Sequence, residues 1–179
     1  MLTSLQTFFD VSTNDIRDRL LLSLRAITTL RSGNDCEPVF KDTPDMYGPF
    51  WITSTAILAI SVSQGLTVDF TATCILYGCL LIFPLLVFAL HKALVKTATD
   101  PSVSYPHLVC VYGYSNVAVI PVALLRGVLP PLARDVVLAF GAGHTATFLL
   151  ANVPYNPRAI SLGTALACQG ITYCMLYYS

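Results

Sequence analysis

From Asp45 onward the sequence consists of long stretches with no charged side chain, and this patterning leaves the chain few possible folds. Uncharged runs separate Asp45 from Asp69, Asp69 from Lys92, Asp100 from Arg126 and Asp135 from Arg158, and another follows Arg158. A helix needs about 20 mainly apolar residues to cross a bilayer. Five segments qualify: Phe50–Leu66, Phe70–Leu90, His107–Leu125, Leu132–Asn152 and Ala159–Tyr178. Inside lipid each backbone N–H and C=O has to be satisfied within the segment, which selects helix. The expected fold class is therefore all-α, an integral membrane bundle of five transmembrane helices. Charged residues make up 11 % of the 179 residues, against about 25 % in soluble domains. The formal net charge is zero, so no basic surface is expected to hold nucleic acid.

The residues before the spans read differently. Most of the charges in the chain lie there. Phe9-Asp10-Val11-Ser12-Thr13 supplies helix-capping side chains, and Asp15 falls in the first turn that would follow. Ile16, Leu20, Leu24 and Ile27 then recur at helical spacing, with Arg17, Asp18 and Arg25 off that face. This predicts an amphipathic helix that lies on the membrane, docks on the spans or meets a partner. Residues 31–44 are polar and carry Gly33, Pro38 and Pro44, as a linker would. The expected division is a cytosolic segment over 1–44 and a membrane domain over 45–179. Met1 to Asp10 lack the basic and apolar regions of a secretory signal, so targeting is expected from the internal spans.

Lysine and arginine outside the spans set the orientation. With the N-terminus cytosolic, that side holds Arg17, Arg19, Arg25, Arg31, Lys41, Lys92, Lys96 and Arg158. The other side holds Arg126 and Arg134. An odd number of spans then places the C-terminus in the lumen. Pro84 and Pro121 fall inside spans and are expected to kink them. Ala139, Gly143, Thr147 and Ala151 recur every four residues, as do Gly163 and Ala167, and both sets read as close-packing stripes. Cys74, Cys79, Cys110, Cys168 and Cys174 lie in apolar runs and read as small buried hydrophobes, with Cys36 a free thiol.

Catalytic and ligand motifs are weak. Gly141-Ala142-Gly143-His144-Thr145-Ala146 fits a dinucleotide-binding pattern, but no Asp or Glu follows Asp135 to hold a ribose. His107 and Cys110 lack a second pair of metal ligands. His144 reads as an interhelical hydrogen bond. No carboxylate lies in four of the five spans, and the hydroxyls there have no base beside them. No catalytic residue, cofactor or metal is expected.

Asp45-Met46-Tyr47-Gly48-Pro49-Phe50-Trp51 carries more information. An interface anchor accounts for Tyr47 and Trp51, and Pro49 suits a helix start. Neither accounts for Asp, Tyr, Gly and Pro in this order. Tyr112-Gly113-Tyr114 forms a second aromatic–glycine cluster in the third span, on the same side of the membrane, where the two can face each other. Gly48 is expected either in a backbone conformation other residues avoid or too close to another helix for a Cβ.

Asp45-Met46-Tyr47-Gly48-Pro49 resembles the D-L-Y-G-P signature that opens the first span of the Ypt-interacting protein (Yip) family of Golgi membrane proteins, with Met46 in place of Leu. Tyr112-Gly113-Tyr114 is similar to that family's second signature, in the third span. Phe9-Asp10-Val11 and the helix with Arg19 look like the segment upstream of its spans. The resemblance implies a non-enzymatic membrane-traffic factor of the ER–Golgi system, spanning the membrane five times with a cytosolic N-terminus. It implies association with prenylated Rab GTPases and with other family members, as homo- or hetero-oligomers. Asp45, Tyr47, Gly48, Pro49, Tyr112, Gly113 and Tyr114 are then the candidate partner-binding residues. The rival expectation is a small channel, transporter or lipid-handling protein using the two prolines and His144.

Overall fold

The computed structural model describes residues 11–24, 44–67, 70–94 and 104–152, and from the last stretch residues 163, 167, 170–174, 176 and 177. All regular structure among them is helical. The helices are α1 (Thr13–Leu24), α2 (Tyr47–Ser63), α3 (Phe70–Leu94), α4 (Tyr105–Ser115), α5 (Val119–Arg126) and α6 (Pro131–Asn152). A 3₁₀ turn, Asn116–Ala118, joins α4 to α5.

Local chemistry sets the ends. Ser12 Oγ accepts from the N–H of Asp15 at 3.2 Å and caps α1. Ser104 Oγ accepts from the N–H of His107 at 3.4 Å at the start of α4. Pro131 begins α6, where its missing N–H costs nothing. α2 stops earlier than its hydropathy implies, at Ser63 rather than Leu66. The N–H of Leu66 reaches back to Ser61 O at 2.8 Å and that of Gly65 to Val62 O at 3.2 Å. This is the paired bonding of a Schellman stop. It needs a left-handed residue, and Gly65 has φ +79°. Leu66 follows with φ +66°, a conformation unfavourable for a side chain.

The two intrahelical prolines act differently. α3 continues through Pro84 for 25 residues. Pro121 cannot donate to the carbonyl four residues back, Val117, and its ring crowds that carbonyl. The backbone tightens into the 3₁₀ turn at that point. The segment nevertheless runs on as one rod, Tyr105–Arg126, which passes centrally through the bundle with most of its residues buried.

By length and composition two described segments can cross a membrane: Thr73–Leu90 within α3, and Tyr105–Arg126. α2 is shorter, with 17 residues. At about 1.5 Å per residue it extends roughly 25 Å, at the lower limit for a hydrocarbon core of about 30 Å. α6 has 22 residues but includes Arg134, Asp135 and Asn152.

The core forms two clusters. One joins α2, α3, α4 and α6 through Ile52, Cys79, Val87, Leu108, Tyr112, Tyr114 and Phe148. The other joins α2, α5, α6 and the last segment through Ala56, Ile60, Val119, Val122, Leu138, Tyr173 and Leu176. Leu58, Phe70, Ile82, Leu85, Leu132 and Phe140 are exposed, as lipid-facing side chains would be.

Three expectations change. The packing glycine of α6 is Gly141, where a Cβ would strike Val122 Cγ2 and Tyr173 OH. Ala139 and Gly143, on the predicted stripe, are exposed, and a Cβ on Gly143 would meet nothing within 4 Å. Gly163 and Ala167 are exposed as well. The stripe was read from spacing alone, whereas bulk on the neighbouring helices decides which face packs. Cys79 and Cys110 are buried, but Cys74 and Cys174 are exposed. Cys36 and Cys168 lie outside the described residues. On α1, Ile16 and Leu20 are half-buried and Arg17 and Asp18 exposed, as read. Leu24 is 51 % exposed, and Arg19 takes the inward position instead. Ile27 lies outside the described residues.

Candidate functional site

The first signature forms the N-terminal turn of α2. Asp45 precedes the cap residue Met46 and is 1 % exposed. Its Oδ1 accepts from the N–H of Gly48 at 2.7 Å, satisfying one of the open donors of the first turn. Its Oδ2 accepts from Tyr114 OH at 3.3 Å and from Cys110 Sγ at 3.7 Å. Arg19 Nη1 donates to the same oxygen and forms an ion pair with it. Donors from α1, α2 and α4 thus converge on one carboxylate. Cys110 and Tyr114 are four apart on α4, so both point to the same side.

The two signatures also interlock sterically. A Cβ on Gly48 would land on the phenol ring of Tyr114. A Cβ on Gly113 would land on Pro49. Of the two reasons offered for Gly48, close approach holds, since its φ is not positive. Each signature therefore contributes one glycine and one ring, and each ring occupies the space left by the other signature's glycine. Pro49 sits in the first turn, where it sacrifices no helical bond.

The candidate residues divide into two groups. Asp45, Gly48, Pro49, Tyr112, Gly113 and Tyr114 are all buried. Tyr112 is buried in the cluster that also holds Phe148 and Leu149. Tyr47 is 41 % exposed and belongs to an outward aromatic group. Its ring lies 6.1 Å from that of Trp51, which meets Phe50 edge-on at 5.5 Å. Phe50 in turn lies 6.3 Å from Tyr77 of α3.

Electrostatics fit this arrangement. Burial lowers the pKa of Arg19, but the charge and the hydrogen bond of Asp45, with smaller contributions from Cys110 and Tyr114, together hold the guanidinium above its ordinary value. The pair ties the N-terminal helix to the start of α2. Sequence reading quoted Arg19 but did not pair it with Asp45. Helical spacing gave no signal for it: at about 100° per residue Arg19 lies outside the face shared by Ile16, Leu20 and Leu24.

The remaining motifs lie on α4 and α6. Gly141–Ala146 lies in mid-α6, with no strand or turn before it. Among the described residues no group of three or more His, Cys, Asp or Glu could hold a metal. His144 is buried, and its Nε2 lies 3.2 Å from Leu24 O of α1.

A helical bundle with two apolar helices of membrane-crossing length and many exposed apolar side chains fits the class of α-helical membrane proteins. The chain belongs to the Yip1 domain family, whose model matches residues 37–177. It is 31 % identical over 149 residues to the protein named Protein YIP5 of Schizosaccharomyces pombe, covering 72 % of this chain and 55 % of that one. It is 20 % identical over 161 residues to Protein YIPF1 homolog of Dictyostelium discoideum, covering 81 % and 44 %. The chain thus spans about half the length of these relatives. Neither carries an enzyme's name. No solved structure matches it.

Proposed function

We propose that the chain is a non-enzymatic membrane-traffic factor of the ER–Golgi system that associates with prenylated Rab GTPases and with other Yip-family proteins. Family membership supports this reading. The observation that carries it at the residue level is the split of the first signature into a buried joint and an outward Tyr47. In this reading Asp45, Gly48, Pro49, Tyr112, Gly113 and Tyr114 set the angle between α1, α2 and α4, and they support partner binding from within. Tyr47, Phe50 and Trp51 meet the partner at the membrane boundary. Five spans, a cytosolic N-terminus and a lumenal C-terminus complete the reading, with α1 at the cytosolic end of the bundle. The protein resides in the Golgi or the ER–Golgi intermediate compartment.

A single prenyl chain anchors weakly, so a receptor gains by contacting both lipid and protein. The test is capture of prenylated and unprenylated Rabs on the purified chain in detergent, with an unrelated membrane protein of similar hydrophobicity as control. The prenylated form should be retained preferentially, and Tyr47→Ala should reduce retention without loss of folded protein. Equal capture of both forms, or equal capture on the control, would overturn the reading.

A further inference from the structure

The inward face of α1 is formed by Ile16, Arg19, Leu20 and Ser23. Its exposed side divides along the length of the helix. The first half shows Asp15, Arg17 and Asp18, and the last turn shows Leu21, Leu22 and Leu24. A helix lying flat on a bilayer separates polar from apolar side chains by face, from end to end. The exposed side of α1 separates them by height instead.

Two contacts fix the direction in which that height runs. Arg19 meets Asp45, which also takes donors from Cys110 and Tyr114 of α4. Leu24 lines a half-open space with Ala118, Pro121 and Leu125, farther along the same rod, and its carbonyl lies 3.2 Å from Nε2 of His144. α1 therefore points down the bundle, in the direction of α4 and α5. From Arg19 to Leu24 it descends about 7–8 Å, at about 1.5 Å per residue. His144 and Asn152, the end of α6, are about 12 Å apart along that helix. Both lengths fall short of the roughly 15 Å of hydrocarbon in a single leaflet.

This depth sets what covers the leucines. Tyr47 and Trp51, exposed at the start of α2, mark the headgroup level beside Asp45. Side chains that face outward below that level meet acyl chains. The next charge in the sequence, Arg25, is within reach of the headgroups from there, because an arginine stem can run back along apolar surface.

We propose that α1 is a half-inserted helix. Leu21, Leu22 and Leu24 are covered by the acyl chains of one leaflet, the one in which α2 begins, while Asp15, Arg17 and Asp18 stay at its headgroups. That leaflet then carries one helix more than the other. On the topology proposed above it is the cytosolic leaflet. This placement rests on reading the bundle as membrane-spanning and is independent of Rab binding.

The experiment is depth-dependent fluorescence quenching on the purified full chain in phosphatidylcholine bilayers. Trp51→Phe removes the one native tryptophan. Single tryptophans are then placed by Leu22→Trp, by Asp18→Trp, or by Ile82→Trp at the exposed middle of α3. The lipids carry bromines either near the glycerol end of one acyl chain or near its methyl end. By the upper bromines, Leu22→Trp should be quenched about threefold more strongly than Asp18→Trp, because the two lie on opposite sides of the headgroup boundary. By the lower bromines, Ile82→Trp should be quenched more strongly than Leu22→Trp. Equal quenching of Leu22→Trp and Asp18→Trp would overturn the proposal, whether both are weak, as for a helix clear of the membrane, or both strong, as for one lying flat. Lower bromines that quench Leu22→Trp as strongly as Ile82→Trp would overturn it too, since α1 would then reach the midplane. An unquenched Ile82→Trp would bring down the membrane reading along with it, whereas quenching at Ile82→Trp without quenching at Leu22→Trp sinks the half-inserted helix alone. If Leu22→Trp does not yield a monodisperse protein, Leu21→Trp takes its place with the same outcomes.

Discussion

Asp45 and His144 are both polar side chains buried in an apolar bundle, and both touch α1, yet they differ in what surrounds them. Asp45 accepts from Gly48, Tyr114, Cys110 and Arg19. Nε2 of His144 meets the Leu24 carbonyl, and its Nδ1 has no partner among the described residues. The first is an architectural joint, since its oxygens are taken up by three helices. The second is a single tie from α6 to the backbone of α1. α1 is held at both points, by a side chain at Arg19 and by its backbone at Leu24. A buried polar group therefore marks a joint when donors from several helices converge on it.

The largest effect should come from emptying the joint. Asp45→Ala removes the acceptor shared by Gly48, Tyr114, Cys110 and Arg19, and losing a hydrogen bond to a charged group costs about 1.5–3 kcal/mol. Thermal unfolding in detergent should show a large loss of stability. The double variant Arg19→Met with Asp45→Ala should recover a substantial part of it. An Asp45→Ala protein as stable as the parent would mean that the pair is ornamental and that α1 is held elsewhere.

The next effect is steric and distinguishes two glycines. Gly48→Val places atoms on the ring of Tyr114 and should lower folded yield and stability by about 1–3 kcal/mol. Gly143→Ala meets open space and should stay within about 0.5 kcal/mol of the parent. Similar losses at both positions would show that Gly143 packs against something, and would restore the stripe read from the sequence.

The smallest effect concerns one hydroxyl. Tyr114→Phe keeps the ring against Gly48 but removes the donor to Asp45, and should cost about 1 kcal/mol. The loss should vanish when Asp45 has already been replaced. Additive losses in that double variant would separate the hydroxyl from the joint.

Much of this was legible in the sequence, for identifiable reasons. The apolar runs gave helices at 70–94, 105–126 and 131–152 to within a few residues, because hydropathy and helix length are local properties. Ser12 and Pro131 marked helix starts for the same reason. The pairing of the two signatures was anticipated from their shared side of the membrane. The end of α2 was missed because Gly65 and Leu66 stop a helix by backbone geometry and not by polarity. Arg19 was not paired with Asp45, because 26 residues separate the partners and no periodic pattern links them.

The sequence by itself determined the class of the molecule, since uncharged stretches of this length can bury their backbone only as helices. It also determined the residue types at the joint, because a close crossing needs glycine and an aromatic ring needs the space glycine leaves. Tertiary structure alone decided which faces meet. Spacing on α6 offers the Ala139–Gly143 face and the Gly141 face alike, and the bulk of Val122 and Tyr173 selects the second. Tertiary structure also decided the state of His144, because whether a buried nitrogen is satisfied depends on a carbonyl 120 residues away in the chain.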